Sequence, residues 1–598
     1  MAVFARITLF AVAALTLALT GASMQALDQL DFTVTGGDSR LETDLRGASG
    51  LLSAQREKRT QDLDLFADAR AEYGRLLAAL YAKGHYGPFI HVLIDGREAA
   101  EIAPLDAPTR IGRITVTVDP GPQFAFSRAT IAPLAPRTEL PDGFAVGKVA
   151  GSEVIKEAAQ AGIDGWRAIG HAKTAVGAQD LVADHRNATL SAGIEMVPGP
   201  VLRFGALTIN GTQRLRLERA QAIAGLPEGA RFDPREVARA AERLRRSGVF
   251  SSVTLTEDDK ITAPDLLGIT ADLVELRPRR YTFGAEIASY DGVVLSGSWL
   301  HRNLWRGGER FEISGEIAGI AAQTGGIDYR LGVTLDRPAT PGPDTVLNLG
   351  LQLEQVNDTD TTAQIVDISA GFTHYFGDTL QGRAALAFSA SRGRDAAGSY
   401  AYRSAELPIG LTWDRRNSKT DPTGYVYVDL GVKPFYGFGA TDNGVQLTFD
   451  ARGYKGLGAD NRVVLAARLQ GGAVLGADIL DTPRDDLFYS GGGGTVRGMP
   501  FQSLGVTVDD GGTPVTIGGN RFLAGSLEAR VKVSERFGLV GFLDMGLVGQ
   551  GGANDWQAGA GIGVRYATGV GPVRLDVALP VHGNGNGVQL YVGLGQAF

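Results

Sequence analysis

The fold predicted for this chain is a set of small α+β repeats followed by an antiparallel transmembrane β-barrel of about 16 strands. Three observations carry the prediction. From residue 281 to 598 the sequence alternates apolar with small or polar residues in segment after segment. Upstream, residues 27 to 280 carry an internal repeat. Glycine is abundant, at 82 of 598 residues, which suits crowded barrel interiors and turns better than helices.

The last segment shows the alternation most plainly. Val588, Leu590, Val592, Leu594 and Phe598 fall on one face, and Gln589, Tyr591, Gly593, Gly595 and Ala597 on the other. A strand with one face in lipid must belong to a closed barrel, because an open sheet edge cannot be satisfied in hydrocarbon.

Composition narrows the function classes. Hydrophobic residues make up 44% and no later segment has 18 apolar residues in a row, so a helical membrane protein is not expected. The net charge is −8 with no basic block, which argues against a nucleic-acid partner. Cysteine is absent, excluding disulfides and Cys-zinc sites, and the seven histidines show no metal-ligand spacing. No Gly-x-Ser-x-Gly elbow occurs, so neither enzymatic activity nor a cofactor is expected. At the N-terminus Arg6 precedes an apolar run from Ile7 to Leu19 and then small residues to Ala26, which reads as a secretory signal over 1–26.

The repeats follow. Pro120-Gly121-Pro122 with Phe126 recurs as Pro198-Gly199-Pro200 with Phe204, one period of about 78 residues later. This sets units at 27–119, 120–197 and 198–280. In the third, Phe204–Ile209 alternates as a strand and Leu215–Ala224 reads as a helix. Asp233, Pro234 and Glu236 form a helix-start signature ahead of the apolar face Val237, Ala240, Ala241 and Leu244. Gly248 ends that helix, and strands are expected at Val253–Leu255 and Leu267–Leu276. The order is strand, helix, helix, strand, strand. Leu30–Val34 reads as the first strand of the first unit. Gly84-His85-Tyr86 and Gly170-His171-Ala172 stand where Gly248-Val249-Phe250 stands in the third.

In the barrel, alternating segments begin near Tyr281, Val293, Arg310, Ile327, Thr345, Ala363, Leu380, Tyr400, Gly424, Val445, Arg462, Phe522, Leu539, Gln557, Val573 and Val588. One connection, 476–520, is far longer than the rest, and loops of that length inside a compact fold are usually functional. It holds Gly491-Gly492-Gly493-Gly494-Thr495-Val496-Arg497-Gly498-Met499. No Lys-Ser or Lys-Thr follows the glycines, so a phosphate cradle is not expected.

The repeat order and its turns resemble the POTRA domain, the periplasmic polypeptide-binding module of outer-membrane assembly factors. Val496-Arg497-Gly498-Met499 resembles the Val-Arg-Gly-aromatic motif of the outer-membrane-protein-85 superfamily, with Met in the fourth place. Asp414-Arg415-Arg416-Asn417 with Asp421-Pro422-Thr423-Gly424, Phe542-Leu543-Asp544-Met545-Gly546, and Gly571-Pro572-Val573-Arg574-Leu575-Asp576 are similar to further motifs of that superfamily. The resemblance implies an outer-membrane barrel with its repeats in the periplasm. It also implies a long loop folded into the lumen, its arginine docked on inner-wall acids. Alternation places Leu539, Leu543, Met545 and Leu547 on the lipid face, and Leu527, Ala529, Val531 and Val533 likewise, so Asp544 and Glu528 point inward to receive Arg497. The plainer alternative is that both are solvated lumen charges.

Three repeats before about 16 strands look like the TamA branch of that superfamily. The resemblance implies a factor that inserts autotransporters or other barrel proteins without ATP, with a TamB-like inner-membrane-anchored partner, unfolded outer-membrane clients and the lipid bilayer as its contacts. The expected device is a lateral gate, Tyr281–Tyr290 against Gly587–Phe598, with Phe283, Gly284, Gly593, Gly595 and Phe598 as its residues and the two last-strand glycines weakening the seam. A two-partner-type polypeptide secretion transporter, a trans-envelope lipid conduit and a BamA-like general insertase are the competing readings.

Overall fold

The structure, a computed structural model, describes residues 29–598 except 60, 289–291, 323–324, 358–361, 396–397, 511–512, 551–552, 570, 584 and 586. The signal segment 1–26 and Tyr290 therefore lie outside the described residues. The chain divides into two compact units, one holding the first two repeats and the other the third repeat with the barrel.

The first repeat runs strand Gln29–Val34, helices Ser39–Ala48, Gly50–Arg56 and Asp62–Ala82, strands Phe89–Ile94, Arg97–Glu98 and Arg113–Asp119. Its first strand pairs in parallel with Arg113–Asp119, which also pairs with Phe89–Ile94. Leu45, Leu51, Leu65, Leu76, Leu80 and Ile114 are buried between helices and sheet. The second repeat departs from the expected order. Strand Ala125–Ala132 is followed by a single helix, Ser152–Ala168, then strands Ala175–Asp184 and Thr189–Val197. The sequence between Ala132 and Ser152 carries prolines at 133, 136 and 141, which lack the N–H a helix interior needs, and it forms turns instead.

The third repeat has the order read from the sequence: strand Arg203–Asn210, helices Leu217–Ala224 and Pro234–Arg246, strands Phe250–Thr262 and Leu266–Glu275. Its core gathers Leu215, Ile223, Ala240, Leu244, Phe250 and Leu273. Gly84, Gly170 and Gly248, aligned by the repeat, all take positive φ just past a helix, the left-handed conformation that ends a helix most cheaply at glycine.

The barrel is closed. It begins with the first strand Arg279–Ala288 and ends with the last strand Gln589–Leu594. Gly398–Glu406 and Ile409–Asp414 are two halves of one strand, both pairing with Leu380–Asp395 and Gly424–Gly437, so the barrel has 16 strands. The break falls at Leu407-Pro408, where proline has no N–H to give the ladder. Leu527, Leu539, Leu543 and Met545 are exposed on the outer face, while Glu528 and Asp544 are buried within. Among the described residues no helix is long and apolar enough to cross a membrane.

One correction concerns the C-terminus. Val588, Leu590 and Leu594 do face outward, and Gln589 and Tyr591 are buried inward. Phe598 does not share the lipid face. The strand stops at Leu594, Gly595 turns the chain at φ 90°, and Phe598 enters the lumen, 8% exposed, packed with Tyr454 and Ala466. The main-chain oxygen of Phe598 accepts a bond from Arg530 Nη2 at 3.2 Å.

Candidate functional site

The long loop 476–520 carries a hairpin, Val506–Asp510 with Thr513–Ile517, that packs with Ile479, Leu487 and Val548. Beyond it the Val496–Met499 segment lies inside the barrel. Val496 and Met499 are fully buried, and Arg497 is 3% exposed. The carbonyl of Gly494 accepts from Arg468 Nη1 and Gln470 Nε2, each at 3.1 Å, which pins the glycine tip to strand Val463–Leu475. Gly498 takes φ 93°, and a Cβ there would sit 2.7 Å from the Leu579 carbonyl oxygen. Both its backbone angle and its approach to the wall exclude a side chain. Met499 fills the place of the aromatic, against Gly583 and Gly585.

Arg497 is held by three carboxylates on three strands of the inner wall, two of them adjacent and the third beyond one intervening strand. Its Nε donates to Asp544 Oδ2 at 2.7 Å and its Nη2 to Asp544 Oδ1 at 3.0 Å, a planar fork on a carboxylate. Its main-chain N–H donates to the same Asp544 at 3.1 Å. Nη1 donates to Glu528 Oε1 at 2.7 Å and to Asp576 Oδ2 at 3.3 Å. The face of the Phe542 ring lies 3.5 Å from the guanidinium carbon, close enough for cation–π attraction.

Two further arginines balance the charge. Arg530 donates to Glu528 at 2.8 Å, and Arg565 pairs with Asp576. Arg497, Arg530 and Arg565 thus meet Glu528, Asp544 and Asp576, a cluster of zero net charge in a buried place. Neutrality matters because an unpaired charge there would have no solvent to compensate it. Arg565 also donates to Gln596 at 2.9 Å, so the chain's C-terminal segment hangs from the same cluster through Gln596 and Phe598.

The structure therefore brings Arg497, Glu528 and Asp544 together. Sequence reasoning missed Asp576, Arg530, Arg565 and Phe542. Asp576 was legible: Leu575 and Val577 flank it on the lipid face, so alternation points it inward. The arginines carried no motif of their own.

The seam is a second feature. Among the described residues the first and last strands pair at two positions, Ile287 with Val592 and Ala288 with Tyr591. The last strand pairs with its other neighbour at six positions, and the first with its own at ten. None of Phe283, Gly284, Gly593, Gly595 or Phe598 is among the paired seam residues. Phe283 is exposed on the outer face, Gly284 pairs with Ser296 on the second strand, Gly595 lies past the strand's end, and Phe598 is in the lumen. The gate residues expected from the sequence thus surround the seam pairing instead of making it.

The third repeat is fastened to the barrel's turns within one compact unit. Arg243 is buried and forks onto Asp344, with Nε to Oδ1 at 2.8 Å and Nη2 to Oδ2 at 2.6 Å. Arg246 donates to the same Asp344 at 3.3 Å and stacks over Tyr375. The Arg243 guanidinium holds the Asp344 carboxyl below the usual carboxylate range.

Comparison with known families agrees with this architecture. Residues 313–598 match the Omp85 superfamily domain, and residues 202–272 match the surface antigen variable number repeat, the POTRA module. Among solved structures the chain is similar to BamA from Haemophilus ducreyi lacking POTRA domains 1-3, with a TM-score of 0.60 at 16% identity over 79% of this chain and 100% of that one. It is also similar to CdiB from Acinetobacter baumannii, with a TM-score of 0.52 at 10% identity over 80% and 90%. At these identities the likeness is one of fold. A POTRA repeat leading into a closed 16-strand barrel, with a matching domain across nearly all of that barrel, places the chain in the Omp85 superfamily of outer-membrane insertases and transporters.

Proposed function

We propose that this protein is a TamA-like insertion factor, which assembles autotransporters or other barrel proteins by letting their strands pair at a seam that opens sideways. The seam carries the reading: among the described residues two paired positions close the barrel, where the last strand meets its other neighbour at six and the first strand its own at ten. A short pairing costs little to break, and each freed edge offers a row of unpaired N–H and C=O groups to an incoming strand. Hydrogen bonds are exchanged one for another, so no nucleotide is consumed. The three repeats before the barrel support the TamA-like placement, with a TamB-like partner on the periplasmic side.

The chain has no cysteine, so a pair can be introduced cleanly. Ile287→Cys with Val592→Cys sits in register across the seam. Oxidation of this pair is expected to abolish insertion of an unfolded autotransporter barrel into proteoliposomes, and reduction to restore it. Undiminished insertion by the oxidised form would overturn the reading in favour of passage through the lumen.

A further inference from the structure

The lumen face of the seam carries an ion pair between Arg574 and Glu286. Arg574 lies on the strand Val573–His582 and Glu286 on the first strand, with the last strand between them. Arg574 Nη2 donates to Glu286 Oε1 at 2.8 Å. Arg574 stands opposite Gly593 in register, so its side chain reaches Glu286 by passing over that glycine. A Cβ at Gly593 would come within 2.9 Å of Arg574 Nε.

The position of this row is informative. Pairing between the first and last strands runs through Ala288 with Tyr591 and Ile287 with Val592. Glu286 and Gly593 are the next row toward the periplasmic end, where the described backbone pairing stops. We infer that Arg574 and Glu286 form a clasp across the last strand that holds the seam shut where its backbone pairing ends, and that Gly593 is there to let the arginine cross. This inference rests on the sideways-opening reading and gives Gly593 a different task from the one read in the sequence. There the glycine loosens the strand; here it admits the bridge that tightens the seam.

The two ideas predict opposite signs for one substitution. If Gly593 only weakened the strand, Gly593→Ala would tighten the seam, since alanine fits a strand interior better than glycine. If Gly593 makes room for the clasp, Gly593→Ala pushes Arg574 off Glu286 and loosens it. Arg574 is largely buried but Glu286 is 45% exposed, so the pair is worth the modest amount of a partly screened bridge.

The test uses the full-length protein in proteoliposomes, carrying the Ile287→Cys and Val592→Cys pair. The yield of disulfide in a brief oxidation reads the closed fraction, and heat-modifiability on gels controls for folding. Glu286→Gln, Arg574→Gln and Gly593→Ala are each expected to lower the yield roughly two- to fivefold. The exchange Glu286→Arg with Arg574→Glu is expected to restore it, and Gly593→Ala is expected to add nothing once Arg574 is Gln. Yields unchanged by the neutralised variants, or raised by Gly593→Ala, would overturn the clasp. Lowered yields together with undiminished client insertion by the fully oxidised parent would leave the clasp standing and remove the insertion reading alone.

Discussion

Replacing Arg497 with Gln is the sharpest perturbation of the lumen site. In the parent, three arginines balance three carboxylates, and Arg497, Glu528, Asp544 and Asp576 are all at most 3% exposed. Glutamine removes one positive charge and leaves the cluster at −1 with Asp544 unpaired. Removing one partner of a buried ion pair costs about 3–5 kcal/mol, chiefly because the remaining charge stays desolvated. The loss falls on the docked loop, since an undocked loop exposes those carboxylates to lumen water. At about 1.4 kcal/mol per tenfold, the docked-to-undocked ratio should fall roughly a hundredfold to several thousandfold. Arg497→Lys keeps the charge but loses the fork onto Asp544 and should fall between parent and Gln. Single-channel conductance reads whether the loop leaves the lumen, and protease added from the outside reads whether it becomes accessible. Higher conductance and faster cleavage in the order Gln, Lys, parent are expected. A Gln variant with the conductance and protection of the parent would refute the reasoning, because it would mean that the buried charges do not hold the loop. In the same assay Arg497→Asp paired with Asp544→Arg should recover part of the docking that Arg497→Asp alone loses.

The other predictions follow from separate contacts. Asp544→Asn should undock the loop more than Asp576→Asn, because Arg497 reaches Asp544 through three bonds and Asp576 through a single one at 3.3 Å; the same conductance assay ranks them. Asp344→Asn should loosen the third repeat from the barrel turns by roughly 1.5–3 kcal/mol, read as faster hydrogen exchange in helix Pro234–Arg246. Because Asp344 is held below the usual carboxylate range, its contribution is fully present above about pH 4 and lost as pH falls through the lowered value, so parent and variant should converge only in stronger acid. Phe598→Trp should resist quenching by brominated lipid chains, since the residue packs on Tyr454 in the lumen; strong quenching would return it to the lipid face.

How much was legible in the sequence follows from the range of each interaction. Strand periodicity is local, so the approximate start of most barrel segments and the inward direction of Glu528 and Asp544 could be read without a fold, although the segment expected near Gln557 begins at Ala553. Helix starts and stops are local too: Pro234 and Gly248 delimit a helix in the third repeat as their backbone chemistry dictates. The same local chemistry works against a first helix in the second repeat, where Pro133, Pro136 and Pro141 leave turns in place of the helix that the repeat order calls for. The Arg497 motif marked the loop, and alternation supplied two of its three acids.

What the tertiary structure alone decided concerns closure. Which residues of the first and last strands meet is set by the stagger of 16 strands around the barrel, a quantity no single segment contains. Hence the seam pairs at Ile287–Ala288 and Tyr591–Val592, and not at Phe283, Gly284 or Gly593. Hence too the neutralising Arg565, which means nothing until the neighbouring strand brings it beside Asp576, whereas Arg530 already stands two residues from Glu528 on the same strand. The inward turn of Phe598 has the same origin: its alternation fits lipid, but Gly595 turns the chain where Tyr454 and Arg530 offer a better partner than the bilayer. The sequence determined which side of each strand is greasy; only the closed barrel determined which charges face one another across it.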